Sequence, residues 1–480
     1  DAITGPVKDW SKYWGYNAKD SAVLMDIWPK EEEMLTKNNI MSSYQRKIDT
    51  LEVLTYIQEK GIHVDLDNLH SETMKLNERL SVLNAQLTAI WGPDINPASP
   101  KQLMDYFYKL KKEPPYKNKA TGKPSVDDDA LKRLARKGYK EASLLREVRT
   151  ITKLKGTYYE VKLDPDSRLR GSINPVGTKS GRFSSGVSIF GTGTNLQNLP
   201  HSSRESQGVR KFLTADPGYI VLESDLSQAE NRIVAWIAPE PTMKKAFLDG
   251  IDIHSKTASM MFGIPVDQVS DEEGSSAIGN GSRSQRYWGK QCNHSLNYDL
   301  GYRSFALRFE IPENEAKMLV ERYHAIYPGV RNGYHTWVKA ELQKDRSVPN
   351  CYGWRRKFLD RWGDELFKAA YSQAPQGTVS EKINQDGLVF AYNNIPEIEI
   401  LNQVHDSIWY QLPLSIGLER IREIILAITN SLEKPIPWKD PFIIPVDTKV
   451  GFNFDEMTKI DFKKETWREK MEGVLACQTQ

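Results

Sequence analysis

Between residues 31 and 88 apolar side chains return every three or four positions, with Ile48, Leu51, Leu54, Tyr56 and Ile57 near one stripe. That spacing predicts amphipathic helices. Lys60-Gly61 ends one of them, and Val64-Asp65 opens the next stretch. Pro93 to Pro100 reads as a loop, and a helix is expected over about 102–110. Another is expected over 127–137, capped by Ser125 or the aspartates after it, and a long one over 144–159. From 171 to 200 Gly, Ser, Thr and Asn dominate and helix formers are few. The run 219–223 predicts a strand, followed by helix to 247. Residues 270–284 form a Gly/Ser-rich loop suited to a hinge or mobile connector, ahead of a helix over 286–300. The runs 388–392 and 398–412 read as strands. No internal repeat interrupts this order.

Two of the apolar runs end in a carboxylate: 219–225 reaches Asp225, and 400–406 reaches Asp406. A strand-end Asp is usually a solvated group. A pair brought together on adjacent strands is a site for hard divalent cations, which take carboxylate and phosphate oxygens. Two such ions roughly 3.5–4 Å apart serve nucleotidyl transfer, activating a hydroxyl and stabilising a leaving pyrophosphate.

Bulk properties narrow the picture less. A chain of 480 residues supports a sizeable core and more than one subdomain. The net charge of +2 does not by itself call for nucleic acid. Locally, Lys101, Lys109, Lys111, Lys112, Lys117, Lys119 and Lys123 face only Asp105 and Glu113, which fits either a phosphate-gripping loop or a solvated one. Cys292, Cys351 and Cys477 are too few and scattered for a disulfide framework, which fits a reducing compartment. No run is long enough to span a bilayer, and no membrane partner is expected. The chain begins at Asp1, which suggests a fragment or processed product.

The residues after each aspartate add chemistry. Asp225 is succeeded by Leu226-Ser227-Gln228-Ala229-Glu230-Asn231-Arg232. Arg286, Lys290, His294 and Tyr298 recur every four residues, so on a helix they form one stripe, basic then aromatic. Such a stripe meets a triphosphate at one end and a base or sugar at the other, or is simply a solvated face. Around Asp406 stands Gln403-Val404-His405-Asp406-Ser407.

These three segments resemble motifs A, B and C of the family A DNA polymerases. The family patterns are Asp-Tyr-Ser-Gln-Ile-Glu-Leu-Arg, Arg-x-x-x-Lys-x-x-x-Phe-Gly-x-x-Tyr-Gly and Gln-Val-His-Asp-Glu. Ser180-Gly181-Arg182-Phe183-Ser184-Ser185, Asn195-Leu196-Gln197-Asn198-Leu199-Pro200, Asp252-Ile253-His254 and Pro375-Gln376-Gly377-Thr378 resemble further family segments in the right order. Gly353-Trp354-Arg355-Arg356 is a weaker match. The resemblance implies an α/β (α+β) right-hand fold, with an antiparallel palm sheet, a helical thumb and helical fingers. It places mainly thumb at 29–158, palm at 159–232 and 351–480, and fingers at 233–350.

It further implies that Asp225, Asp406 and the Leu226 carbonyl hold two Mg²⁺, with Mn²⁺ as a substitute, and that Lys290 serves as a catalytic proton donor. Arg286, Lys290, His294, Tyr298, His254, Glu230 and Gln228 would bind the incoming dNTP, Glu230 rejecting a 2′-hydroxyl. Arg182, Asn195, Gln197, Asn198, Gln376, Gln403, His405, Lys111, Lys112, Lys117 and Lys119 would hold primer–template DNA. Replication accessory proteins are further partners of that family. A cytoplasmic location is implied, in a bacterium or in a phage's host, with a eukaryotic organelle left open. The nearest relatives are expected among bacteriophage enzymes.

Three departures stand out. His294 replaces Phe or Tyr, Ser407 replaces the accessory Glu, and Ser295 and Asp299 replace two glycines. Tyr16-Asn17-Ala18-Lys19-Asp20 resembles the closing motif of the family's 3′–5′ exonuclease, so 1–28 reads as a remnant and no proofreading is expected from this chain. A single-subunit RNA polymerase shares the hand architecture, but Glu230 argues against it. A non-catalytic DNA-binding fragment would not need the triphosphate residues, and neither would a nuclease.

Overall fold

The computed structural model describes residues 10–118, 121–200 and 208–476. Lys119 and Cys477 lie outside them; Cys292 and Cys351 are buried and free. The chain divides into two compact units, 1–52 and 53–480. In the first, the helix Trp10–Lys37 buries no side chain, and Tyr16 and Asp20 of the exonuclease-like motif are exposed on it.

The second unit is built round a five-stranded antiparallel sheet. Its strands are β1 (Tyr219–Leu226), β2 (Glu399–Val404), β3 (Ser407–Pro413), β4 (Val446–Gly451) and β5 (Met457–Lys459), in the order β5-β4-β1-β3-β2. The central β1 reads as a continuous apolar run because both its faces are covered. Ile220, Leu222 and Leu226 enter the larger core with Ile408 and Tyr410. Val221 enters a second core with Trp409, Phe212 and Phe454.

The expected helix over 127–137 is present as α1 (Asp128–Arg136), capped by Asp127, whose carboxylate accepts from the Ala130 N–H at 3.0 Å. Helix α2 (Lys140–Leu154) follows. Both pack on a small separate core of Leu103, Phe107, Leu131, Leu134 and Leu145. Beyond β1 come α3 (Ala229–Ile237), α4 (Ile253–Phe262), α5 (Gln285–Leu296) and α6 (Tyr302–Phe309).

Two expectations are corrected. Residues 388–392 are helical, not a strand: they end a continuous helical stretch that begins at Gln373. A five-residue apolar run cannot itself distinguish a strand from a buried helix, and the length of the flanking helix decides. Residues 398–412 are not one strand but the hairpin β2–β3, turned at His405-Asp406. The 270–284 loop is tied down at several points. The Gly279 N–H donates to Glu315 at 2.6 Å, Ser270 N–H to Gln285 at 3.0 Å, and Ser284 Oγ to Asp271 at 3.1 Å.

Candidate active site

The hairpin turn brings the two aspartates together. His405 takes a left-handed φ of 55°, and Asp406 follows it at the tip. The Leu226 N–H donates to the Asp406 carbonyl at 3.0 Å. Register then places Asp225 opposite Ser407 on β3 and opposite Asp447 on β4. Directly opposed residues share a face of a sheet, so the side chains of Asp225, Ser407 and Asp447 lie on one side.

Both aspartates are part-buried. Burial, then the charge of Asp406 and of Glu223, drives the Asp225 carboxyl well above the carboxylate range. Burial, then Glu230, pushes Asp406 up to about 6. Two desolvated carboxyls with too little positive charge around them are a fit for hard divalent cations, which relieve that cost. Among the described residues no three His, Cys, Asp or Glu side chains converge as a complete metal cage. A two-carboxylate set suits Mg²⁺, which keeps ligand positions for water and phosphate.

Ser407 has its own structural place. It is buried, and its hydroxyl donates to the Val404 carbonyl at 3.1 Å, closing the hairpin. Glu223, two residues before Asp225 on the same face, braces the sheet. It accepts from Trp409 Nε1 at 3.0 Å and from Lys449 Nζ at 2.7 Å, its neighbours on β3 and β4. Burial would raise its pKa, but Lys449 and Arg210 outweigh that and hold it below the ordinary value.

Helix α5 carries the basic stripe. Ser284 caps it, accepting from the Tyr287 N–H at 2.9 Å. Arg286 forks onto Asp252, with Nε at 2.9 Å and Nη2 at 3.2 Å from the two carboxylate oxygens. Against the cost of burial, Arg286 and Ser255 together hold Asp252 far below the usual carboxylate range. Lys290 and His294 are exposed on the next turns. Helices α4 and α5 touch at Gly289, where an added Cβ would lie 2.1 Å from the His254 carbonyl oxygen. Only glycine allows that approach. His254 is buried, with Asn293 Nδ2 at 3.0 Å from its Nδ1 and the His294 ring centre 5.4 Å away. Burial, helped by His294, lowers its pKa to about 3, so the ring is neutral at pH 7.

The stripe does not extend to Tyr298 as a helical position, since α5 ends at Leu296. The chain instead returns Tyr298 to the site, where its hydroxyl donates to Glu230. Arg182 Nη2 donates to the other Glu230 oxygen. Glu230 is thus held from two sides, and Arg182 points at it. Gln228, at a left-handed φ of 54°, joins the end of β1 to Asp252 through its side-chain amide.

Several expected DNA-contacting residues have internal partners. The Asn195 side chain accepts from the Gln197 N–H at 2.9 Å. Gln197 donates to the Gln403 carbonyl, and Gln403 to the His405 carbonyl at 3.0 Å. The Asn198 carbonyl accepts from Tyr158 at 2.7 Å. The Gln197 bond, with one from Asn402 Nδ2 to the Leu196 carbonyl at 3.2 Å, knits the 195–200 segment to the β2–β3 hairpin that turns at Asp406. Gln376 is half-buried on the helix Gln373–Lys382. Lys111, Lys112 and Lys117 are exposed near the small core under α1 and α2, a different packed region from the carboxylates.

Four side chains received no role of their own from the sequence, three of them at or beside the site. Asp252 was legible only as part of a motif, not as the partner of Arg286. Asp447 had no motif; its strand register is its only signal. Asn297 links Asn231 at 2.6 Å to Tyr323 at 2.8 Å behind Tyr298. Gln373 is buried, with neither amide atom bonded among the described residues.

Comparison with known proteins gives a consistent picture. Residues 66–456 match the sequence model described as DNA polymerase family A. DNA polymerase I of Pseudomonas aeruginosa is 27% identical over 460 residues, covering 92% of this chain and 47% of that protein. DNA polymerase I of Deinococcus radiodurans is 29% identical over 416 residues, covering 82% and 40%. The chain spans about half the length of the curated relatives it matches. Among solved structures, the POL domain of Pol1 from M. smegmatis, in complex with DNA primer-template and dNTP, superposes with a TM-score of 0.78 at 25% identity. The match covers 90% of this chain and 74% of that one.

Proposed function

Because this chain belongs to DNA polymerase family A, we propose that it extends a primer 3′-end with deoxynucleotides on a DNA template by two-metal-ion phosphoryl transfer. The observation that carries the reading is the Asp225–Asp406 pair at one end of the sheet, with both carboxyls pushed upward. Asp225, Asp406 and the Leu226 carbonyl would hold Mg²⁺, or Mn²⁺ in its place. When bound, such ions activate the primer hydroxyl and neutralise the leaving pyrophosphate.

The remaining steps belong to the chain's own side chains. Arg286 exchanges Asp252 for the triphosphate, since both offer two oxygens to its fork. Lys290 binds beside it and gives a proton to the leaving pyrophosphate. Neutral His254 contributes a hydrogen bond rather than charge. Glu230 occupies the space a ribose 2′-hydroxyl would need, and Tyr298 supports the sugar and base. Arg182, released from Glu230, reaches the minor groove, where purine N3 and pyrimidine O2 accept hydrogen bonds at every pair. Helix α5 turns towards the sheet as nucleotide binds and shuts out water. In this reading 29–158 is mainly thumb, 233–350 fingers, and the rest of 159–480 palm. Primer–template DNA and dNTPs are its partners.

The test is extension of a primed DNA template with Mg²⁺ and either dNTPs or rNTPs. Extension by dNTPs alone is expected, lost in Asp225→Ala and in Asp406→Ala while both variants still bind the DNA. Full extension by either variant would sink the reading.

A further inference from the structure

The joint after α5 is built round Tyr298. The helix ends at Leu296. The Asp299 N–H donates to the Leu296 carbonyl at 3.1 Å, and the Leu300 N–H to the Ser295 carbonyl at 3.2 Å. That pair of bonds is the Schellman ending, which needs one residue in the left-handed region and usually takes glycine there. The neighbouring α4 ends in this way on Gly263, at a φ of 69°. At the end of α5 the left-handed residue is Asp299, at a φ of 56°, and it replaces a glycine of the motif. Aspartate tolerates this region better than most side chains but less well than glycine. What the side chain touches gives the reason for its presence.

Asp299 is held by Arg331. Arg331 Nη2 and Nε donate to one oxygen of its carboxylate, at 2.7 and 3.2 Å, and His324 Nε2 stands 3.9 Å from the same oxygen. Against the cost of burial, Arg331 keeps that carboxyl below its ordinary value. Arg331 belongs to a π-helical stretch, Val330–His335, and the same stretch holds the other side of Tyr298. There His335 Nε2 donates to the Asn297 carbonyl at 2.8 Å. One element therefore grips the residues before and after Tyr298. It is itself seated firmly. An added Cβ on Gly333 would lie 2.4 Å from the Ala238 carbonyl oxygen at the end of α3, and the His335 ring stacks on Tyr371 with centres 4.0 Å apart. Helix α3 carries Glu230 in its first turn, and Glu230 accepts from the Tyr298 hydroxyl.

Arg331 is exposed and Asp299 half-buried, so their ion pair adds little to global stability. Its effect is local: it resists rotation of the joint and with it of the Tyr298 ring. We propose that Asp299 is a positioning residue, which through Arg331 fixes the joint after α5 so that Tyr298 stays at Glu230, where the incoming sugar is received. The proposal rests on the polymerase reading above.

The experiment measures kcat and KM for one dNTP on a primed DNA template, with urea unfolding alongside. It compares the unaltered chain with Asp299→Gly, Asp299→Asn, Arg331→Ala, Arg331→Lys and the double variant Asp299→Asn/Arg331→Ala. Glycine and asparagine both suit a left-handed helix ending, so a capping role alone leaves KM unchanged in the two Asp299 variants. The proposal expects KM to rise about two- to fivefold in Asp299→Gly, Asp299→Asn and Arg331→Ala, within what a half-exposed ion pair contributes. The kcat should stay within about twofold, as loss of binding alone requires, and the unfolding midpoint of Asp299→Gly should be no lower than that of the unaltered chain. The double variant should show the rise of either single one, because both remove the same interaction. Arg331→Lys, which keeps a cation for the one oxygen used, should retain most of the affinity. An unchanged KM in Asp299→Asn and Arg331→Ala would overturn the proposal alone, and so would a double variant whose rise is the product of the two. A lower midpoint and kcat with KM unmoved would assign the pair to stability only and overturn it as well. Failure of the unaltered chain to extend any primer would overturn it together with the polymerase reading.

Discussion

Glu230 receives hydrogen bonds from Tyr298 on one side and Arg182 on the other, so one carboxylate fixes both the side chain proposed to support the sugar and the one proposed to reach the minor groove. Glu230→Ala removes the group proposed to exclude a 2′-hydroxyl and frees both partners. Discrimination against ribonucleotides should fall roughly 10- to 200-fold, read as the ratio of kcat/KM for a dNTP and its rNTP. An unchanged ratio would assign the exclusion elsewhere. His254 makes a second prediction. Its folded value of about 3 lies below the ordinary 6.5. Between those values the unfolded chain binds a proton that the folded chain does not, so stability is lost as pH falls below 6.5. At pH 5 that amounts to about 2 kcal/mol. Urea unfolding at pH 7 and pH 5 should show the unaltered chain losing about that much more than His254→Gln. Equal losses would mean that His254 is not held neutral by its surroundings.

Elements meet at few places closely enough to be tested by one methyl group, and Gly289 is one. An added Cβ would lie 2.1 Å from backbone oxygen of α4, which cannot rotate away as a side chain could. Gly289→Ala should cost about 1–3 kcal/mol, as overpacking does, and shift Arg286 and Lys290, the proposed triphosphate ligands. Unfolding midpoints and the dNTP KM would show both effects, and an unperturbed KM would separate the contact from nucleotide binding. At the same scale, reading 398–412 as one strand hides the active-site turn. The turn exists because His405 adopts a left-handed φ, and no glycine or Asn-Gly pair announces it in sequence. The 388–392 misreading has the opposite cause. Its side chains suit a strand, and only the helix running into it from Gln373 overrides them.

For the molecule as a whole, stability resides in the 53–480 unit, where the sheet separates two hydrophobic cores. The helix Trp10–Lys37 buries no side chain, and Trp10, Trp14 and Met25 are exposed on it. A chain beginning at residue 40 should therefore unfold with a stability within about 0.5 kcal/mol of the full chain's, and should extend a primer as the full chain does. A large loss in either measurement would show that the first helix supports the catalytic unit.

Much of the chemistry was legible because it is local. Asp225 to Arg232, Arg286 to Lys290 and Gln403 to Ser407 are short segments in which side-chain type and spacing carry the resemblance. Strand β1 was legible for the same reason, its apolar run ending at Asp225, whereas the antiparallel sheet was expected only from the resemblance. How the chain uses those residues at a distance was not. The fork between Arg286 and Asp252 spans 34 residues, and the contact between Arg182 and Glu230 spans 48. The alignment of Asp447 with Asp225 depends on strand register, and the tie of Arg331 to Asp299 spans 32 residues. A sequence by itself determines which groups are available and which lie on one face of a local element. Only tertiary structure decides which distant charges share a desolvated site, because burial and long-range pairing set both their partners and their protonation.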